Sequence, residues 1–291
     1  MLLRHLVSQF IQSSAGRRFV EEITNATFEK QQSTASPSDP KTSRPFTSKP
    51  CDIAFVFGLG VEAGGLIDLL QDGVTTRCDS YLEHVGTIEG RSIVIAESGV
   101  GRQNAAQTTD DLIAIHQPSC VISTGFATGL RDELKYGHIL MTNSVADCTG
   151  NQHPIHLAMD PAAIQSIKGL HVDRLLTVDE MRQTPQDKRM LGEQYAAAAC
   201  DMETFAVAEI CQNQSVSFLS VRVISDTVDD QLPFEIETLK DQKSLASKLG
   251  ATAGAIFNRP TAVKDLWKLK EDALKASDRL ARFLVSVSSQ L

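Results

Sequence analysis

Between Cys200 and Asp230 the chain reads C-D-M-E-T-F-A-V-A-E-I-C-Q-N-Q-S-V-S-F-L-S-V-R-V-I-S-D-T-V-D-D, with acid clusters at both ends. Carboxyl groups can grip sugar hydroxyls, stabilise a developing cation, or hand a proton to a poor leaving group. The elements that hold them decide which. Val216 to Ile224, broken only by Ser217, Ser220 and Arg222, reads as a buried strand of a mostly parallel sheet. Ser225 and Asp226 then stand at its carboxyl end, outside which ligands of open α/β sheets collect. Asp201, Met202 and Glu203 precede a short amphipathic segment, Thr204 to Gln212. Each acid also has a plain structural reading. S-D-T is good helix-capping chemistry for Asp226, and Glu203 suits the first turn of a helix through the dipole.

Other strands are followed by glycines. Asp52 to Phe57 is an apolar strand running into G-L-G-V-E-A-G-G, Gly58 to Gly65, in which Glu62 is the only carboxylate. A lone G-x-G is a weak dinucleotide signal, and no clear acid follows a second strand about 20 residues on. Ser92 to Glu97 leads into S-G-V-G-R-Q-N-A-A, Ser98 to Ala106, whose turn offers backbone N–H groups at the start of a helix running to about Ile115. Cys120 to Thr124 ends in T-G-F-A-T-G-L. Strands are also expected over Ile139 to Val145 and Leu170 to Val178, a helix over Thr184 to Tyr195, and packing helices over Lys243 to Phe257 and Ala262 to Val285. In N-Q-H-P-I-H, Asn151 to His156, two histidines flank a proline with no other ligand nearby, so no metal is expected.

The whole chain narrows the chemistry. Its 291 residues are 42% hydrophobic with a formal net charge of −8, which argues against nucleic-acid binding. Residues 1–50 hold seven basic and four acidic side chains, leaving 21 and 32 for the rest, so the acidity belongs to residues 51–291. Those residues are expected to form one catalytic domain. Residues 1–20 place apolar side chains at 2, 3, 6, 7, 10 and 11, one helical face; it reads as a docked terminal helix, a transit peptide, or a weak membrane-surface contact. Residues 31–50 read as a disordered linker. Six cysteines without C-x-x-C spacing read as reduced, and the compartment as cytoplasmic.

Four motifs in order, S-G-V-G-R-Q-N-A-A, V-I-S-T-G-F-A-T-G-L, D-M-E-T-F-A-V-A and V-R-V-I-S-D, resemble the nucleoside phosphorylase and nucleosidase superfamily, over about Asp52 to Asp230. The branch they resemble is the 5′-methylthioadenosine/S-adenosylhomocysteine nucleosidases. The C-terminal half looks closer to the hopanoid-associated phosphorylases, thought to act on adenosylhopane. The resemblance implies an α/β fold, a three-layer αβα sandwich whose twisted, mixed but mostly parallel sheet is flanked by helices. It implies cleavage of a purine nucleoside, no cofactor beyond inorganic phosphate if the enzyme is a phosphorylase, and a homodimer. By position it makes Asp226 the acid at purine N7, with Ser225 beside it, and Glu203 with Met202 the grip on the ribose. Ser98 and Gly99 become the turn near sugar and nucleophile, Phe126 and Ala127 the segment beside the base. Glu62 falls about where hydrolases of the family hold the glutamate that activates water. Phosphorylases bring arginines to phosphate, and Arg102 is the only basic residue beside the Ser98 turn, which favours hydrolysis. The alternatives are phosphorolysis and a degenerate member that binds a nucleoside without cleaving it.

Overall fold

In the computed structural model, which describes residues 50–157, 167–181, 184–231 and 260–291, β1 (Ile53–Phe57) is buried at every position. Such a strand must be covered on both faces, and alternation decides what covers each. Ile53, Phe55 and Phe57 pack with Ala63 and Leu66 of α1 (Gly60–Ile67) and with Leu280, Ala281 and Leu284 of the C-terminal helix α5 (Pro260–Ser288). Ala54 and Val56 face the other way, onto Ala105 and Leu112 of α2 (Arg102–His116) and Val207 and Cys211 of α4 (Thr204–Asn213). Helices thus cover both faces of one sheet. The remaining helix, α3, spans Pro185–Tyr195. The sheet and the part of α5 from Lys268 onward belong to one compact unit.

The other strands are β2 (Gln71–Arg77), β3 (Leu82–Ile88), β4 (Arg91–Glu97), β5 (Cys120–Gly129), β6 (Ile139–Asp147), β7 (Gln152–Pro154), β8 (Leu170–Thr177), β9 (Ala199–Asp201) and β10 (Ser217–Asp226). Parallel pairing of β4 with β1, β1 with β5, and β5 with β10 builds the centre. The sheet is mixed: β6 runs antiparallel to β10, and β2, β3 and β4 form an antiparallel edge that sequence reading does not anticipate. Every residue of β2 is exposed, so no buried face marks it. A larger departure is β5. T-G-F-A-T-G reads as turn-like glycines, yet it is the second half of a ten-residue strand. The register with β10 runs from Ser217 opposite Cys120 to Asp226 opposite Thr128.

Two of these elements are weak alone. α1 has eight residues, three of them glycine, a composition and length that would not hold a helix in water. Burial of Leu66 contributes about 1.5–3 kcal/mol. Ser277 of α5 adds an anchor: its Oγ accepts from Gly65 N at 2.9 Å and donates to Glu62 O at 2.9 Å. A Cβ on Gly65 would lie 2.8 Å from the Ser277 carbonyl oxygen, so only glycine lets the helices meet this closely. The expected N-terminal helix, the linker over 31–50 except its last residue, and the helix over 243–257 lie outside the described residues.

Candidate active site

Glu62 projects from the first turn of α1 at the end of β1. Its Oε2 accepts from Gly58 N at 3.1 Å and Leu59 N at 3.0 Å, and its Oε1 from Phe126 N on β5 at 3.1 Å. Burial pushes its pKa up, opposed by the charge of Arg222 and by these three N–H groups. Gly125 explains how the carboxyl and the guanidinium fit. It has φ of +137°, and a Cβ there would lie 2.8 Å from both Glu62 Oε2 and Arg222 Nη1. The glycine that looked like a turn signal is a close-approach site within a strand.

Glu203 meets Glu62 at Gly58, where a Cβ would sit 3.4 Å from Glu62 Oε2 and 3.6 Å from Glu203 Oε1. Glu203 is the N-cap residue of α4, but its side chain makes no capping hydrogen bond. Its Oε1 accepts instead from Gly101 N, at the start of α2, at 2.7 Å, and its Oε2 from Met202 N at 3.2 Å. Burial pushes its pKa up to about 8, aided by the charges of Asp201 and Glu62 and opposed by Arg222. Beneath the pair, Arg222 of β10, 1% exposed, sets its Nη2 2.6 Å from Asp201 Oδ2 and donates to Ser123 Oγ and Thr204 Oγ1. Three acids thus share one arginine. Sequence reading named Arg222 only as a break in an apolar run; a charge in the middle of a buried strand was the available signal.

Asp226 lies at the end of β10, where a register shift between Ile224 and Asp226 re-aims the side chain. Its Oδ1 accepts from Thr128 Oγ1 at 3.0 Å and Ser225 Oγ at 2.9 Å. It stands opposite Thr128, while Glu62 is bonded at Phe126, so the two acids meet β5 two residues apart, about 6.6 Å along a strand. The surroundings differ from an acid isolated after an apolar strand. Lys188 of α3, wholly buried, places Nζ 2.8 Å from Asp226 Oδ2. No sequence signal marked this lysine, which lies 38 positions earlier.

Ser98 is buried, and its hydroxyl is turned toward the carbonyls of Phe57 and Gly99, at 3.0 and 2.8 Å. It ties β4 to β1, while Gly101 N makes the turn's bond to Glu203. Gly99 and Gly101 have φ of +80° and +101°, the left-handed region that this turn needs. Ala127 O accepts from Ser225 Oγ at 3.4 Å; Phe126 and Met202, whose backbone N–H groups donate to Glu62 and Glu203, are half-buried. Arg102 has its Nη2 on Thr177 O at 2.7 Å, with Asp147 and Asp179 carboxylates 3.7 and 3.0 Å away. Within the expected N-Q-H-P-I-H loop, Gln152 to Pro154 form β7 and His153 packs on Phe205. Among the described residues no group of three or more His, Cys, Asp or Glu is placed to hold a metal.

The phosphorylase superfamily model matches residues 52–257. A 5′-methylthioadenosine/S-adenosylhomocysteine nucleosidase of Shewanella loihica is 27% identical over 212 residues, 64% of this chain and 90% of that protein. The crystal structure of such a nucleosidase from Colwellia psychrerythraea in complex with adenine is similar at 25% identity and a TM-score of 0.57, covering 69% of this chain and 93% of that one. The Helicobacter pylori enzyme with butyl-thio-DADMe-Immucillin-A shares the fold, with a TM-score of 0.59 at 20% identity over 84% of this chain and all of that one.

Proposed function

The chain belongs to the phosphorylase superfamily, and on that premise we propose that it hydrolyses the N-glycosidic bond of an adenine nucleoside, with a 5′-substituted adenosine such as 5′-methylthioadenosine or S-adenosylhomocysteine as substrate. One observation carries the reading: Glu62 and Glu203 meet over Gly58, and Asp226 stands two strand positions from Glu62's bond to β5. This spacing, about 6.6 Å along a strand, supports assigning Glu62 and Glu203 to the sugar and Asp226 to the base.

The reaction needs three services. As the C1′–N9 bond breaks, its electron pair moves into the purine, and protonated Asp226 gives its proton to N7. Such general-acid help is typically worth ~10²–10⁴-fold. The sugar becomes oxocarbenium-like, and Glu203 holds its hydroxyls while the surrounding carboxyl groups favour positive charge. Glu62, as carboxylate, takes a proton from the water that attacks C1′. Charge balances: Asp226 ends ionised, Glu62 ends protonated, and exchange with solvent restores both. Burial raises the pKa of Glu62, which makes its carboxylate a stronger base. Met202 and Phe126 supply apolar surface to sugar and base, and Ser98 with Gly99 shapes the turn behind Glu203. No cofactor takes part.

Water is preferred over phosphate because the cations are already engaged. Arg102 faces Thr177 O and two carboxylates, and Arg222 lies beneath three acids. The same proposal carries a homodimer and a cytoplasmic location; the six unpaired cysteines support a reducing compartment. Among the described residues no helix is long and apolar enough to cross a membrane. The deciding experiment is adenine release from 5′-methylthioadenosine, S-adenosylhomocysteine and adenosine, with and without phosphate. Release without phosphate, abolished by Asp226→Asn, is expected. Strict phosphate dependence would establish phosphorolysis, and no adenine under any condition would leave a binding protein.

A further inference from the structure

The Lys188 ammonium is the most completely buried charge beside the reaction, and the steps above do not use it. It makes three contacts: Asp226 Oδ2 at 2.8 Å, Thr227 O at 2.9 Å and Asp230 O at 2.8 Å. An ammonium has three donors, so none is left for a ligand. The carboxylate of Asp226 has about four lone-pair positions, and Lys188, Thr128 and Ser225 take three. One direction remains open. Lys188, which closes one of the others, comes from the first turn of α3, fixed by Pro185 and by Thr184 Oγ1, which accepts from Asp187 N at 3.2 Å.

We propose that Lys188 is a positioning residue for the leaving-group acid: it orients the Asp226 carboxyl toward the purine and stabilises the carboxylate left when the proton passes to N7. The inference rests on the function proposed above and names a determinant of that same site. Proton transfer to N7 adds a full negative charge 2.8 Å from the ammonium. The interaction therefore strengthens along the reaction, the condition for accelerating a step rather than tightening binding. Lys188 itself forms and breaks no covalent bond. The other groups facing Asp226 leave this role to the lysine. From β9 comes the Cys200 thiol, whose pKa is pushed far up by burial and by Asp226. In the following turn, the Asp230 carboxylate is occupied by Thr227 N and Oγ1, at 2.7 and 2.8 Å.

The test compares full-length wild type, Lys188→Met and Lys188→Arg on 5′-methylthioadenosine, measuring kcat and KM across pH, with thermal melts to confirm folding. Lys188→Met is expected to lower kcat by ~10²-fold, within the range of general-acid help. Its KM should stay within a few-fold of wild type, and the alkaline limb of its kcat profile should move to higher pH. Lys188→Arg, which keeps the charge, should leave that limb in place and recover much of kcat. A folded Lys188→Met with wild-type kcat and an unmoved limb overturns the inference alone. Equal loss in both variants with neither limb moved also overturns it, by reducing Lys188 to a structural tie. Should Lys188→Met not fold, Lys188→Gln takes its place, and the limb decides. A wild type that releases no adenine overturns the functional reading, and the inference with it.

Discussion

The site holds carboxyl groups in two electrostatic settings. On the side proposed for the sugar, Glu62, Asp201 and Glu203 share the cation Arg222; burial pushes Glu62 upward, and burial with the charges of Asp201 and Glu62 pushes Glu203 upward. On the side proposed for the base, Asp226 is the one carboxylate ion-paired with Lys188 among the described residues. The difference shows that burial alone does not decide what a carboxyl group can do; the number of charges sharing the buried space does. An acid-rich cluster suits a cationic sugar and a base that must accept a proton. A matched pair suits an acid that must end the reaction ionised.

The comparison can be broken most directly at Arg222. Arg222→Met leaves Asp201 buried without its cation, and removing one partner of a buried pair typically costs ~3–5 kcal/mol. Urea unfolding should show that loss; a wild-type midpoint would mean that the cluster does not depend on its arginine. Next comes pH. Between the ordinary carboxylate range and about 8, Glu203 keeps a proton in the folded chain that the unfolded chain releases, so stability should fall as pH rises through that window. Glu203→Gln cannot ionise, so in melts at pH 5 and pH 8 it should gain on wild type at the higher pH. A parallel pH dependence in both proteins would remove Glu203 from the account. The smallest expected effect is at the support of Glu62. Ser277→Ala deprives Gly65 N and Glu62 O of their shared partner, for a loss of ~1–3 kcal/mol in unfolding experiments. If kcat falls while KM holds, α5 also sets the aim of Glu62.

Much of this was legible in the chain itself. The central strands, α2, α3 and α4 follow from apolar runs and turn residues. The acids at 62 and 226 stand out because they sit where strands end, and the acid at 203 because it opens a helix; the structure brings Glu62 and Glu203 together and sets Asp226 beside the strand that Glu62 bonds to. Local pattern failed where a residue's reason is remote. T-G-F-A-T-G carries turn glycines by composition, but β10 extends the strand through it, and Gly125 is there because Glu62 and Arg222 occupy the space of a side chain. The hydroxyl of Ser98 proved to tie two strands, with Gly101 N reaching Glu203 in its place.

Sequence alone therefore determined which groups could do the chemistry, since residue type and position at a strand end are local properties. Only the tertiary structure decided which cation each acid would face. Lys188 reaches Asp226 from another element, and Arg222 serves acids on β9 and the cluster above it. Electrostatic partnership depends on distance and on exclusion of water, and neither is written in the order of residues.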